Sequence, residues 1–238
     1  MTYLSFIFVV GFILTHLFSE KLFFLRTIPR SPLLSIFGGI SVAYVFVHLL
    51  PELNEHQGNI EGFVSNSFWA SVENHIYIAS MFGLALFYGL EKMGEYKRET
   101  KKPVTVFWVH IFSFAAYNAL IGYLLVKEDY GGQLGMFYYF LAMAVHFITN
   151  DHGLRVLHKE KYDSEGRWIL SFSILIGWLL GLWIEIAEWV ISFLFAILAG
   201  GVIVNVLKEE LPEERKSKFS AFLIGLIGYT AILLFALG

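Results

Sequence analysis

The sequence predicts an all-α integral membrane protein with eight transmembrane helices, and its composition, its apolar runs and its basic residues support this class. Hydrophobic residues make up 57% of the 238 positions and charged residues 16%, whereas a soluble domain carries about 25% charge. The chain has no cysteine, which excludes disulfides and thiolate metal sites. Composition therefore favours a lipid-embedded bundle over a soluble enzyme.

Eight apolar runs supply the predicted transmembrane helices, within a single polytopic domain, 1–238. A helix needs roughly 20 mostly apolar residues to cross a hydrocarbon core of about 30 Å, and a helix satisfies its own backbone polar groups, as lipid requires. The runs cover approximately residues 3–20, 33–50, 69–90, 104–126, 133–153, 168–184, 186–207 and 219–237. The stretch 168–207 is too long for one crossing, so Glu185 and Glu188 predict a tight hairpin turn within it.

The basic residues predict how these helices are oriented. Of the 17 Lys and Arg residues, only Lys127 follows an even-numbered segment. Because basic loops stay cytoplasmic, we expect both termini to lie outside the cell membrane, which requires an even number of crossings. The first segment has no basic leader, so we expect it to remain as a helix and not to be removed as a signal peptide.

The second and seventh segments share a pattern. Gly39 is followed twelve residues later by the Pro-Glu pair at 51–52, and Gly200 is followed by the Pro-Glu pair at 212–213 at the same distance. The second segment runs outward and the seventh inward, so the two copies would be inverted, which is a common transporter plan. Chance likeness between two apolar helices explains the pattern equally well.

These two segments also resemble a known family. Residues 37–53, FGGISVAYVFVHLLPEL, resemble the second helix of the ZIP family of divalent-metal transporters, and residues 196–214, AILAGGVIVNVLKEELPEE, resemble its seventh helix. The resemblance implies eight helices with external ends, in a 3+2+3 arrangement with inverted flanking triplets. It also implies transport of zinc or a similar divalent cation.

The resemblance places the family's metal site on the fourth and fifth segments. The fourth usually reads His-Asn-x-x-(Asp or Glu)-Gly, where this chain has Tyr117 and Asn118, with isoleucine at the acidic position. The fifth usually reads His-Glu-x-Pro-His-Glu, where this chain has His146, Asn150 and Asp151 at three of the positions and Phe and Thr at two others. The resemblance thus implies these five residues as the metal site, with several ligands of the family missing.

The residue chemistry of this set is that of a weak site. His146 and Asn150 are four apart and share a helical face, and Asp151 lies one residue round from it. An imidazole, two amides and a carboxylate could hold a divalent cation, although zinc prefers His and carboxylate and amide oxygens suit harder ions. The alternative for Asp151 is an ion pair with Arg155, one turn later.

Two further groups of polar residues are candidates. His48 and Glu52, four apart near the end of the second segment, suit an outer cation-binding site, but a polar helix end with Pro51 as its stop is equally good. The loop expected at 54–67 is mildly acidic.

His16 and His110 lie in the cytoplasmic halves of their segments. With Asn150, Asp151 and His152 they are candidates for a polar exit path. Ordinary interhelical hydrogen bonding is the alternative explanation.

Three classes of function follow. The first is a ZIP-like transporter that moves a divalent cation by alternating access, with its site between the fourth and fifth segments. The second is a transport-inactive ZIP-fold membrane protein that acts as a sensor, subunit or partner-binding protein, which the missing ligands favour. The third is an intramembrane hydrolase, but no second helix has a closely spaced His-Asp set, so we expect no enzyme. Fold likeness alone does not decide among them.

The expected partners follow from the same analysis. They are membrane lipid and a divalent cation, and the glycine-lined helices would permit a homodimer. Nucleic acid is not expected as a partner. No cofactor is expected apart from a transported cation such as zinc.

Overall fold

A computed structural model gives the architecture of the chain, and it is all-α as predicted. It describes residues 2–21, 32–64, 74–99, 103–128, 130–210 and 218–237, and no strand occurs within these ranges. The helices are α1 (Thr2–Phe18), α2 (Pro32–Tyr44), α3 (Leu50–Val64), α4 (His75–Glu99), α5 (Pro103–Lys127), α6 (Gln133–His158), α7 (Arg167–Trp183), α8 (Glu188–Asn205) and α9 (Phe219–Leu237).

The surface of the bundle is that of a membrane protein. Within the described residues, four stretches of helix are long and apolar enough to cross a bilayer: Pro32–Glu61, Val106–Lys127, Tyr162–Trp183 and Glu188–Lys208. Three shorter helices are also apolar: Thr2–Phe18, His75–Leu90 and Phe219–Phe235. Large apolar side chains point outward, including Ile224 at 66% and Phe235 at 91% exposure. Soluble monomers rarely expose so much apolar surface, so the chain belongs in a membrane.

The second segment is longer than predicted, because Pro51 does not end it. The helix passes through a π-helical turn, Val45–Leu49, and continues as α3 to Val64. In that turn the Leu50 N–H donates to the Val45 carbonyl, five residues back. A proline inside an α-helix clashes with the carbonyl four residues earlier, and the wider π turn just before Pro51 gives that carbonyl room. The expected stop at residue 50 is therefore wrong, and 54–64 is helix and not loop.

The remaining boundaries agree with the sequence at most positions. The turn predicted near Glu185 and Glu188 is confirmed, because α7 ends at Trp183 and α8 begins at Glu188, but the two helices pack mainly on α5 and α4 and not on each other as in a hairpin. Helix α6 continues to His158, five residues past the predicted end, and α4 continues to Glu99, nine residues past its predicted end. Helix α4 begins at His75; residues 69–73 and the Pro-Glu pair at 212–213 lie outside the described residues.

Paired glycines bring three pairs of helices into backbone contact. A Cβ atom on any of these glycines would overlap backbone atoms of the facing helix. The pairs are α2–α9 with Gly39 and Gly225, α4–α8 with Gly83 and Gly200, and α5–α7 with Gly122 and Gly177. Small residues of this kind let membrane helices approach closely. Helix α1 packs against α6 and α7.

Contacts between connections bring several basic residues of the described part of the chain together at one end of the bundle, which we call the basic end. Arg155, in the last turn of α6, donates to Ser19 Oγ just after α1 at 3.2 Å. Lys92 of α4 and Lys208 after α8 both lie over the Tyr88 ring, at 5.8 and 5.3 Å from its centroid. The connections after α1, α4, α6 and α8 thus meet in two groups.

His110 of α5 joins these two groups. Its Nε2–H donates to the Leu90 carbonyl at 2.7 Å, and its Nδ1 lies 3.0 Å from His158 Nε2. A carbonyl only accepts, so a neutral His110 must accept at Nδ1 from the His158 N–H. The opposite end contains the acids Glu185 and Glu188 near the α7–α8 turn, and Lys127 lies 3.8 Å from Glu185. We call it the acidic end.

Candidate functional site

A fully buried polar network lies between α1, α5 and α6. Asp151 contacts His16 Nδ1 through both carboxylate oxygens, at 2.9 and 3.1 Å, and His16 Nε2 lies 2.9 Å from Asn118 Oδ1. All three residues have 0% exposure. Two of the implied metal residues, Asn118 and Asp151, are thus brought together by a third helix. We call His16, Asn118 and Asp151 the buried network.

The hydrogen atoms of this network can be assigned. Asn118 Nδ2 donates to the Phe114 carbonyl at 2.8 Å, so its Oδ1 is the acceptor that faces His16. His16 Nε2 therefore carries hydrogen, and one further proton lies between His16 Nδ1 and the Asp151 carboxylate. Both ring nitrogens of His16 and the amide oxygen of Asn118 therefore have hydrogen-bond partners, as buried polar groups require.

His146 and Tyr117 lie beside the buried network and not in it. They are 3% and 4% exposed, and their ring centroids are 6.0 Å apart. His146 precedes Asp151 by five residues, about 7.5 Å along the helix axis. Phe147, which stands where the family has an acid, packs on His16 at 4.7 Å between ring centroids. The centroid of the same Phe147 ring lies 6.4 Å from that of His146.

Asn150 faces a different space. It lines a cavity of about 40 Å³ together with His110 and Asn205. Asn150 Nδ2 and Asn205 Nδ2 are buried and donate to no described residue. A polar cavity of this size can hold ordered water. Asn150 and His146 therefore do not converge on one point, although they share a helix face in the sequence.

The alternative pairing of Asp151 with Arg155 is wrong. Arg155 Nε donates to Asp163 Oδ1 at 2.7 Å, and its guanidinium lies 5.2 Å from the Tyr162 ring centroid. Asp163 lies in the π-helical turn Tyr162–Gly166 that precedes α7. Asp151 instead faces α1, where His16 supplies the donor. Sequence analysis placed His16 only on a possible exit path, because its partners come from distant helices.

His48 and Glu52 lie at the acidic end, with 3.4 Å between His48 Nε2 and Glu52 Oε2. Glu52 also belongs to a second group. Ligand atoms of Glu52, His56 and Glu128 all lie within 4.8 Å of one another. We call these three residues the carboxylate cluster. His56 was missed because its segment was expected to be loop, and Glu128 because only the tertiary fold brings the end of α5 to α3.

Tyrosines surround the carboxylate cluster on one side. Tyr44, Tyr130 and Tyr139 line a cavity of about 10 Å³ together with Glu52 and Glu128. Tyr130 belongs to the connection between α5 and α6, and burial raises the pKa of its phenol. It therefore stays protonated and is not an anionic ligand.

Comparisons with family models, curated proteins and solved structures find no match to this chain. The likeness to the ZIP family therefore depends on the short motifs quoted above.

Proposed function

We propose that this chain is a membrane transporter of divalent metal cations, similar to the ZIP family and working by alternating access. The observation that carries the proposal is the buried network. His16 and Asp151 are fully buried side by side inside an apolar bundle. Ionisable groups in membrane helices cost several kcal/mol and typically mark ion pathways or proton relays.

Helix packing supports the inverted repeat of a transporter. The pair α2–α9 meets at Gly39 and Gly225, and the pair α4–α8 meets at Gly200 and Gly83. In an inverted repeat, the crossings before α5 and α6 would correspond to the crossings after them. If α2 corresponds to α8, then α4 corresponds to α9, and the α2–α9 contact has its counterpart in the α4–α8 contact. In this 3+2+3 plan, α3 continues the second crossing.

The π-helical turns support the same correspondence. The turn Val45–Leu49 begins six residues after Gly39, and the turn Val206–Glu210 begins six residues after Gly200. Isolated π turns are rare and occur mostly at functional sites. An identical offset is expected of two copies of one unit, and chance likeness gives no reason for it.

The charge distribution supports eight crossings with external termini. The basic end gathers connections after α1, α4, α6 and α8. Basic connections stay cytoplasmic, so the acidic end would face outward. Each apolar helix would then cross the membrane once, with α6 as the polar crossing that contains the site.

The path would run from the acidic end to the basic end. His48 and Glu52 would meet the cation first, Tyr117 and His146 would line its way, and the cavity beside Asn150 would lead out. At Asp151 a cation would compete with His16 for the carboxylate. Because His16 and Asp151 share one proton, binding of the cation would release that proton or leave it on His16.

One observation favours the second function, a transport-inactive protein. In the buried network His16 uses both ring nitrogens and Asn118 uses both amide groups. A network satisfied in this way can serve to fix the packing of α1 against α5 and α6. This function predicts a folded protein without flux.

Zinc influx into proteoliposomes that contain a zinc-sensitive dye tests the proposal. We expect the wild type to transport zinc, and Asp151→Ala and His146→Ala to lower the initial rate about tenfold or more. Glu160→Gln is the matched control, because it removes an exposed carboxylate of the basic end. Equal rates for the wild type and Asp151→Ala would contradict the proposal, and absence of flux in the folded wild type would support the second function.

A further inference from the structure

The carboxylate cluster has the ligand set and the dimensions of a metal site. We propose that Glu52, His56 and Glu128 bind one divalent transition-metal cation of the zinc class at the acidic end of the bundle. The sequence pattern pairs Glu52 with His48 alone. The carboxylate cluster differs from that pair in its ligands. It also lies at a different place from the metal residues implied on α5 and α6.

The distances between the ligand atoms suit one small cation. His56 Nε2 lies 3.9 Å from Glu128 Oε2, and all three ligand atoms lie within 4.8 Å of one another. Tetrahedral zinc with bonds of 2.0–2.2 Å keeps its ligand atoms about 3.4 Å apart. Rotation of the glutamate side chains closes the difference. The adjoining cavity of about 10 Å³ is about the volume of one water-sized sphere.

His56 is held in the orientation that a metal ligand needs. It is 8% exposed, its Nδ1 lies 2.9 Å from Ser192 Oγ, and its ring packs on Phe195 at 4.6 Å. Asn59 Nδ2 also donates to Ser192 Oγ, at 3.2 Å. With hydrogen on Nδ1, His56 presents the Nε2 lone pair to the carboxylates, and Nε2 makes no hydrogen bond to a described residue. Metal-bound histidines are usually oriented in this way through their other nitrogen.

Glu52 lacks the donor that would satisfy its buried carboxylate oxygen. Glu52 Oε2 is buried and accepts no hydrogen bond from the described residues; its contact with His48 is 3.4 Å. Glu128 approaches the same point from the end of α5. Two carboxylates this close repel each other in a poorly solvated place. A divalent cation would neutralise both.

The ligand types favour zinc and similar ions. Imidazole and carboxylate are both zinc ligands, and zinc sites with three protein ligands keep the fourth position open. Calcium takes six to eight oxygen ligands, more than this cluster supplies. An open fourth position suits a cation that is exchanged and not held permanently. The site does not depend on the proposed function, because the cluster can bind a cation whether or not that cation crosses the membrane.

Cobalt(II) is the probe for this site, because four-coordinate cobalt absorbs visible light and can be displaced by zinc. We expect the purified protein in detergent to bind one cobalt ion per chain with that absorption. Glu52→Gln, His56→Gln and Glu128→Gln should each weaken binding about tenfold or more, and Ser192→Ala, which removes the positioning contact, about tenfold. Glu55→Gln is the matched control, an exposed acid on the same helix, and should leave the affinity within about twofold.

Thermal unfolding in the same detergent separates lost ligands from lost fold, and three independent variants keep the test decisive if one of them does not fold. Folded wild type without the cobalt absorption, or folded variants of Glu52 and Glu128 that bind as the wild type does, would overturn the proposal. Binding without zinc flux would leave the site in place and contradict the transporter proposal only.

Discussion

The buried network and the carboxylate cluster are both built from carboxylate and imidazole, yet they solve the problem of burial differently. In the network, Asp151 receives a donor from His16, and His16 passes its second N–H to Asn118. In the cluster, Glu52 Oε2 is buried and accepts no hydrogen bond from the described residues, and its ligand atom lies within 4.8 Å of those of His56 and Glu128. The network is closed by the protein itself, whereas the cluster is completed by a cation.

The difference shows that residue type does not identify a metal site. A histidine and an aspartate at 2.9 Å already share a proton, so a cation has to displace it. A histidine and a glutamate at 3.9 Å leave the space that two metal bonds require. Variants that remove one partner should therefore act in opposite directions in the two regions.

The largest effect is expected from His16→Leu. It leaves Asp151 fully buried without its donor, which should lower the free energy of unfolding by about 3–5 kcal/mol. Equilibrium unfolding in mixed detergent micelles measures it. The double variant His16→Leu/Asp151→Leu should recover most of the loss, because it leaves no buried charge. If the double variant loses as much free energy of unfolding as His16→Leu and Asp151→Leu lose together, the two residues are not coupled as described.

A packing variant without charge should come next. A Cβ at residue 225 would overlap the backbone of α2, whereas Gly228, one turn later on α9, has nothing within 4 Å of its Cβ position. Gly225→Ala should therefore destabilise the protein by about 1–3 kcal/mol, and Gly228→Ala should stabilise it slightly through helix propensity. Equal melting temperatures for the two variants would contradict the α2–α9 contact.

The smallest effect has the opposite sign. Without metal, Glu52→Gln should raise the free energy of unfolding by about 1 kcal/mol, because it removes a buried carboxylate without a donor. The exposed Glu55→Gln should change it by less than about 0.5 kcal/mol. Zinc at a hundred times its Kd should then stabilise the wild type by about 2.7 kcal/mol, and Glu52→Gln much less. A loss of stability in metal-free Glu52→Gln would contradict this, because it would mean that the Glu52 carboxylate is stabilised within the protein as Asp151 is in the buried network.

The sequence predicted the helices better than their contacts. Apolar runs identified the helices, and the acids at 185 and 188 marked the α7–α8 turn, because these are local properties of the chain. The helix end predicted at Pro51 is wrong, because the π-helical turn that accommodates the proline depends on backbone geometry and has no recognisable residue pattern. Helix α6 is also longer than its apolar run, because a helix can continue beyond the hydrocarbon core of the membrane.

Partners on one helix were easier to predict from the sequence than partners on different helices. His48 and Glu52 share a helical face and were found together. His16 contacts Asp151 across 135 positions of sequence, and Glu128 approaches Glu52 across 76 positions (128 − 52). The i, i+4 spacing of Glu52 and His56 was visible, but it carried no weight while 54–67 was expected to be loop.

Zinc binding and zinc uptake measured on the same proteoliposomes test the central claim most directly. In Glu128→Gln, we predict weaker binding and uptake that recovers at high zinc, because only the outer site is impaired. In Asp151→Asn, we predict that binding at the carboxylate cluster persists while uptake falls to that of protein-free vesicles. Uptake by Asp151→Asn at the wild-type rate would contradict the account.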